Sequence, residues 1–123
     1  IPAICILAAG WGSDMAFTEG GNQGALNGTT EVTVVAAPAT STRRLVRSLI
    51  VQNRDTAAVD LSVFMAKGAS RYRIWYGSIA AGYTWVCDTV LVLDATDESI
   101  VASLGGAAAT TNPDFNSAYA DVT

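Results

Sequence analysis

The sequence predicts an all-β protein, an antiparallel β-sandwich or jelly roll of about eight strands with an extended N-terminal arm. Short β-branched runs recur with turn signals about every eight to twelve residues, which is typical of sandwiches and jelly rolls. No long run holds a helical period. A chain of 123 residues supports one core. We therefore expect an arm or irregular extension over residues 1–30 and one sandwich domain over residues 31–123.

The first thirty residues lack a strand pattern. IPAICILAAG is apolar but too short to cross a bilayer. WGSDMAFTEGGNQGALNGTT contains five glycines and no sustained period, and glycine at this density costs much backbone entropy in a regular element. Long irregular segments of compact domains are often functional. We expect this arm to contact another chain.

The next segments alternate between strands and turns. EVTVVAA (31–37) reads as a strand that ends before Pro38, and RRLVRSLIVQN (43–53) reads as the next one. NRDTA (53–57) is a turn, because Asn and Asp tolerate left-handed backbone and bond their own main chain. The clearest period of two is in AVDLSVFM, where Val59, Leu61, Val63 and Met65 alternate with Asp60, Ser62 and Phe64. We expect the first set to face the core, with Phe64 as an apolar exception on the outer face.

The segment RYRIWYGSI (71–79) has two open interpretations. A regular extended chain places Tyr72, Ile74 and Tyr76 on one side and Arg71, Arg73 and Trp75 on the other. Arginine and aromatic residues on one face are typical of interface hot spots. The alternative is a strand whose tryptophan covers a corner of the core.

The last third of the chain continues as strands. YTWVCD (83–88) begins one strand, and TVLVLD (89–94) is apolar on both faces, as expected of a strand buried between its sheet and a partner. SIVASL (99–104) returns after a bend. GGAAATTNP (105–113) reads as a flexible stretch of small residues, and AYADVT reads as the last strand.

The charge balance excludes one class of partner. The net charge is −4 and only 15% of the residues are charged. A protein without a broad basic face does not bind nucleic acid by counterion release. A surface with few ions and much Ala and Thr suits a subunit packed against others. We expect no nucleic-acid partner and no membrane partner.

The chemistry that the chain lacks is equally informative. It has no histidine, so neither a Ser-His-Asp nor a Cys-His triad can form, and the usual zinc ligands are missing. No phosphate-binding glycine motif occurs. Cys5 and Cys87 have no CxxC spacing; we interpret them as buried small hydrophobes, with one disulfide between them left open. We expect no enzyme activity, no cofactor and no metal.

The densest acids of the chain are Asp94, Asp97 and Glu98. Oxygen ligands at a turn suggest calcium, but the spacing that presents several oxygens inward is missing. Acidic residues at a bend between strands are more simply turn formers. We interpret these three as shaping the bend.

The order of the segments resembles a group of small β-sandwich proteins from the virions of tailed bacteriophages. Those proteins show a strand, a Pro-Ala turn, a basic-led strand ending in Asn, an alternating strand, an Ile-Pro-Ala-Gly-like turn and an L-x-L…D-x-I-x-A hairpin. The resemblance covers residues 31 to 104. The matching positions are Pro38 and Ala39, 48–53, Asp55, 79–82, Leu91, Leu93, Asp97, Ile100 and Ala102.

The resemblance implies a non-enzymatic virion structural protein. We expect a capsid decoration protein that binds the outer capsid surface and stabilises it through oligomeric contacts. Its partners would be the major capsid protein or other virion subunits, and a homo-oligomer, with a trimer favoured, would add contacts by symmetry. The candidate partner-binding residues are Ile4, Ile6, Leu7, Trp11, Met15, Phe17, Arg43, Arg44, Arg47, Arg73, Trp75 and Tyr76.

Two alternatives remain open. One is a tail or fibre accessory protein that binds another tail subunit, or a host glycan through the Trp and Tyr residues of 72–85. The other is a small carbohydrate-active enzyme, which needs two carboxylates facing each other across a cleft. Its candidate acids are Asp55, Asp60, Asp88, Asp94 and Glu98.

Overall fold

The computed structural model describes residues 17–123, and these fold into nine strands that all pair antiparallel. The strands are β1 (Phe17–Ala25), β2 (Val32–Val35), β3 (Arg43–Gln52), β4 (Val59–Lys67), β5 (Ser70–Ile79), β6 (Thr84–Cys87), β7 (Leu91–Leu93), β8 (Glu98–Leu104) and β9 (Asp114–Val122). No helix occurs within residues 17–123. The prediction of an all-β antiparallel sandwich is confirmed.

The strands form two sheets. One has five strands in the order β1-β9-β3-β6, with β7 also pairing with β3, and the other has the order β2-β8-β4-β5. Strands β6 and β7 pair with successive parts of β3, residues 49–52 and 44–46. They therefore act as one edge strand that is interrupted at residues 88–90.

The inner faces of the two sheets fill the space between them with aliphatic side chains. On β4, Val59, Leu61 and Val63 are buried, as the alternation predicted. Burying a Val or Leu side chain contributes about 1.5–3 kcal/mol. The buried core cluster consists of Leu26, Val34, Val35, Val46, Leu49, Val51, Val59, Leu61, Val63, Ile79, Leu93, Ile100, Ala102, Leu104 and Phe115.

Strand β1 lies inside the segment that the sequence predicted to be an irregular arm. It pairs with β9 over all nine residues without a bulge. Gly20 lies opposite Tyr119 and Gly24 lies opposite Phe115. A Cβ at Gly20 would come within 2.8 Å of the tyrosine ring, and one at Gly24 within 2.9 Å of the phenylalanine ring. The aromatic rings of β9 thus cover the glycines of β1, which compensates for their missing side chains.

A β-bulge in β5 changes which of its residues share a face, compared with the sequence prediction. The register with β4 shifts between Val63 and Phe64, and Ile74 is the additional residue on β5. An extra residue reverses the alternation of everything beyond it. Arg73 therefore shares the outer face with Tyr76, while Trp75 turns inward against the core. The expectation that Arg73 and Trp75 share one face is wrong.

Candidate interaction surfaces

The outer face of the five-stranded sheet carries a cluster of exposed aliphatic side chains. We call it the valine patch, and it consists of Leu45, Ile50, Val86 and Val92. Val86 and Val92 are 57% and 45% exposed, while Leu45 and Ile50 are half-buried beside them. Val90, which is 59% exposed, lies in the connection between β6 and β7. Isolated exposed aliphatic residues are normal, whereas a group of them on one face is a candidate interaction surface.

The strand register explains why this patch forms. Ile50 pairs with Val86 across β3 and β6, and Leu45 pairs with Val92 across β3 and β7. Their sequence neighbours point inward, so that Leu93 is fully buried beside the exposed Val92. The TVLVLD segment is thus apolar on a core face and on a solvent-facing side. The predicted partner on that second side stays a prediction.

The three arginines at the start of β3 differ in their surroundings. Arg44 donates two hydrogen bonds to Asp121, at 2.8 and 2.9 Å, and its guanidinium lies 3.8 Å from the ring centroid of Tyr119. The hydrogen bond to Asp121 raises the pKa of Arg44. Arg47 pairs with Glu19 at 2.7 Å in an exposed position, and Arg43 is exposed. Arg44 is therefore engaged within its own chain, while Arg43 and Arg47 remain accessible.

Arg73 forms a cation–π cluster on the outer face of the four-stranded sheet. Its guanidinium lies 5.4 Å from the ring centroid of Phe64 and 4.8 Å from that of Tyr76. Stacking of this kind holds the guanidinium in place while leaving its N–H donors free for a partner. Arg73 and Tyr76 thus share one surface, and Phe64 lies on the outer face as predicted.

Trp75 closes the sandwich along its β5–β6 side. Its ring centroid lies 5.2 Å from that of Trp85, and the two residues pack against the buried core. Tyr83, which is 69% exposed, joins them around a shallow depression of about 170 Å³. The interpretation of Trp75 as a core-covering residue fits this position. The rim of the depression still offers an aromatic surface to solvent.

Most predicted anchors of the arm lie outside the described residues, namely Ile4, Ile6, Leu7, Trp11 and Met15. Phe17, the first described residue, is 61% exposed at the start of β1. The binding role assigned to these residues stays a prediction.

The acidic bend between β7 and β8 is stabilised by its own hydrogen bonds. The backbone N–H of Asp94 donates to Glu98 Oε1 at 2.9 Å, and the N–H of Glu98 donates to the carbonyl of Ala95 at 3.1 Å. Asp97 accepts a backbone hydrogen bond from Gly68 at its carbonyl. The Glu98 carboxylate thus helps to form the bend, as predicted, whereas Asp94 and Asp97 contribute through backbone groups.

A buried polar cluster ties three loops together at one end of the sandwich. Asn53 is fully buried; its side-chain amide donates to the carbonyls of Ala57 and Ile79, and its Oδ1 accepts from the N–H of Asp55. The Asp55 carboxylate accepts hydrogen bonds from the backbone N–H groups of four residues, which are Thr56, Ala109, Thr110 and Thr111. It also accepts one from the Thr110 hydroxyl. This cluster anchors the 105–113 segment, which the sequence predicted to be flexible.

The environment of Asp55 fixes its charge state. Desolvation acts to raise the pKa of this carboxyl group, but the hydrogen bonds from Ala109, Thr110 and Thr56 outweigh it and hold the pKa well below its usual range. Asp55 is therefore a stable carboxylate whose oxygens are occupied by protein donors. Such a group is a structural anchor and a poor proton donor for glycoside hydrolysis.

The remaining chemistry of the described part is sparse. Among residues 17–123, no group of three or more Cys, Asp or Glu side chains is arranged to hold a metal ion. Cys87 is a free, half-buried thiol within the same range, while Cys5 lies outside it. The part of the chain from residue 17 onward also contains no helix of the length and apolar character needed to span a membrane.

The sequence matches no known protein family and no curated protein. Its fold does resemble solved structures. A subunit of the Bacillus endospore appendages, described as a novel family of disulfide-linked pili, aligns with a TM-score of 0.52 at 10% identity, over 88% of this chain and 86% of that one. At this identity the alignment shows a shared fold. The described residues therefore define an antiparallel β-sandwich.

Two viral structures align more weakly. The infectious bursal disease virus T13 particle gives a TM-score of 0.49 at 14% identity, over 89% of this chain and 31% of that one. The capsid asymmetric unit of cyanophage Pam1 gives 0.42 at 12% identity, over 89% and 84%.

Proposed function

We propose that this chain is a non-enzymatic structural subunit of a virion, a capsid decoration protein that binds the outer capsid surface. The observation that carries the proposal is the valine patch on a sandwich whose interior is filled. A rigid sheet with an exposed aliphatic face can adhere to another subunit without rearranging. Apolar area removed from water on docking supplies about 25 cal/mol per Å² before the costs of association.

The rest of the surface fits the same role. Few charges oppose close packing of copies, and Arg43 and Arg47 offer accessible donors on β3, the strand that carries Leu45 and Ile50. Many weak contacts repeated by capsid symmetry would hold each copy by avidity. The order of segments over residues 31–104 supports the bacteriophage setting by resemblance. The major capsid protein is the partner that we propose.

Charge placed in the valine patch tests this proposal. Val86→Asp and Val92→Asp each introduce a carboxylate at a position that is solvent-exposed in the free subunit, so folding should be retained. We expect occupancy on particles to fall at least about tenfold, since a buried unpaired charge costs several kcal/mol. Thr33→Asp, an exposed β-branched position on the other sheet, is the matched control. Full occupancy by both patch variants would contradict the proposal.

The predicted N-terminal anchors are tested separately. Replacing Ile4, Ile6 and Leu7 by Ser removes apolar side chains from the segment before β1 and changes no residue of the described range 17–123. We expect weaker occupancy if this segment orders on a neighbouring subunit. If this variant occupies particles as fully as the unmodified chain does, the arm is not one of the proposed contacts. The proposed role of the valine patch would be unchanged by that result.

Placement on a tail or fibre is the alternative to the capsid surface. The specific observation that favours it is the aromatic depression formed by Trp75, Tyr83 and Trp85, since aromatic faces stack on sugars as well as on protein. Hundreds of copies per particle and no binding to a glycan array would favour the capsid. A few copies with glycan binding that is lost in Tyr83→Ala would favour the tail.

A subunit of a surface filament is a second candidate. Two observations favour it. The alignment covers most of both this chain and the appendage subunit, which belongs to disulfide-linked pili. Cys87, which has no cysteine partner within residues 17–123, lies at the end of the edge strand β6. Electrophoresis of assembled material with and without reductant tests it. Ladders that collapse on reduction and are missing in Cys87→Ser would support the filament over the capsid.

A further inference from the structure

The sandwich has four open strand edges within residues 17–123. The five-stranded sheet ends at β1 and at the interrupted pair β6 and β7, and the four-stranded sheet ends at β2 and β5. An open edge presents unpaired backbone N–H and C=O groups that another strand can bind. Proteins that remain separate protect such edges with short strands, bulges, Pro or basic side chains.

Three of the four edges carry these protective features. Strands β6 and β7 have only four and three residues. Strand β2 has four residues and a register shift between Thr33 and Val35. Strand β5 is long, but a bulge at Ile74 bends it, and Arg71 and Arg73 lie on it. None of these edges presents a long, regular row of backbone groups.

Within residues 17–123, strand β1 has none of these protective features. It is nine residues long, its register with β9 is unbroken, and its sequence FTEGGNQGA contains no Lys, Arg or Pro. Its one charged residue, Glu19, pairs with Arg47 of β3 at 2.7 Å, so the carboxylate is drawn over the sheet and away from the open edge. Gln23 likewise donates to Asn116 of β9 at 3.3 Å.

We propose that β1 is the edge at which two copies of this chain join, by antiparallel pairing of β1 with β1 of the second copy about a two-fold axis at Gly21. The sequence of β1 is self-complementary in this register. Phe17 faces Ala25 of the second copy, and Glu19 faces Gln23, so no like charges lie opposite each other. The two five-stranded sheets become one continuous sheet, and the contact closes as an isologous dimer.

A zinc bridge tests the register. The unmodified chain has no histidine, so the double variant Glu19→His with Gln23→His adds the imidazoles without background. Within one chain these positions lie about 13 Å apart along the strand and cannot share an ion. Across the proposed axis they are directly opposite, about 5 Å apart at Cβ. Sedimentation equilibrium with and without Zn²⁺ measures the dimer constant. The single variants are the controls.

The unmodified chain should form a weak, concentration-dependent dimer. Zinc should tighten the dimer of the double variant by at least about tenfold and leave both single variants unchanged. A monomer at all concentrations, or a trimer that ignores zinc, would overturn the proposal. A dimer whose constant is the same with and without zinc would place the contact elsewhere and would also overturn it. These outcomes are independent of capsid binding, because no particle is present.

Discussion

At the scale of single residues, Asp55 has the largest set of interactions. Its carboxylate is bonded by donors from its own turn and from the 109–111 segment, which is more than fifty positions away along the chain. Removal of this acceptor leaves several partly buried N–H groups without their protein partner, and the 109–111 segment loses its anchor. The loop end of the sandwich therefore depends on one charge.

The stability of the sandwich should fall in acid because of this charge. The pKa of Asp55 is lower in the folded state than in the unfolded chain. The stabilisation that the Asp55 carboxylate provides is then fully present above about pH 4. It is lost as the pH decreases from about 4 toward the lowered pKa of the folded state. Urea unfolding measured between pH 7 and pH 2 should show this loss.

Asp55→Asn is the variant that checks the assignment. We expect it to lower the unfolding midpoint at pH 7 and to flatten the decline below pH 4, because the amide no longer titrates. Asp60→Asn, at an exposed position of β4, should retain the behaviour of the unmodified chain. An Asp55→Asn protein with an unchanged acid profile would show that other carboxyl groups control acid stability.

Arg44 and Arg43 are neighbours in sequence with opposite expected effects. Arg44 is almost buried against Asp121 and Tyr119, so Arg44→Ala leaves a carboxylate without its partner. We expect a loss of about 2 kcal/mol in the free energy of unfolding. Arg43→Ala, on the solvent side, should change it by less than about 0.5 kcal/mol. Equal effects of the two variants in urea titrations would contradict the structural role of Arg44.

At the scale of elements, β1 shows how a glycine-rich segment becomes a strand. Alanine is generally better tolerated than glycine in regular structure, yet Gly24→Ala should destabilise by about 1–2 kcal/mol, because the new Cβ meets the buried ring of Phe115. Gly106→Ala is the matched control, since no atom lies within 4 Å of its Cβ position. It should be neutral or slightly stabilising. Thermal unfolding of the two variants gives the comparison.

A comparison of the strands shows which of them can be predicted from the local sequence pattern. The alternation of β4 identified Val59, Leu61 and Val63 as core residues, because a period of two maps directly onto the faces of a strand. Strand β1 could not be found in this way, since the aromatic residues that cover its glycines lie about a hundred positions away. The bulge in β5 depends on pairing with β4, so no local signal placed Arg73 and Tyr76 together.

At the scale of the whole molecule, composition and turn spacing were enough to predict the fold class. They were not enough to predict which side chains lie together on the surface. The apolar character of TVLVLD on its two faces indicated a partner, but the valine patch also needs Leu45 and Ile50, which only the β3 register brings beside it. The buried role of Arg44 depends on Asp121, at the far end of the chain. Surfaces assembled from distant strands need the tertiary structure.

We propose that this sandwich binds other subunits through its outer surface. Cryo-electron microscopy of particles that contain this chain tests that proposal most directly. It should show many symmetry-related copies on the outer capsid, with Val86 and Val92 buried against a neighbouring subunit. Two results would contradict the proposal. One is a valine patch that faces solvent in every copy, and the other is an outer capsid surface that carries no copy of the chain.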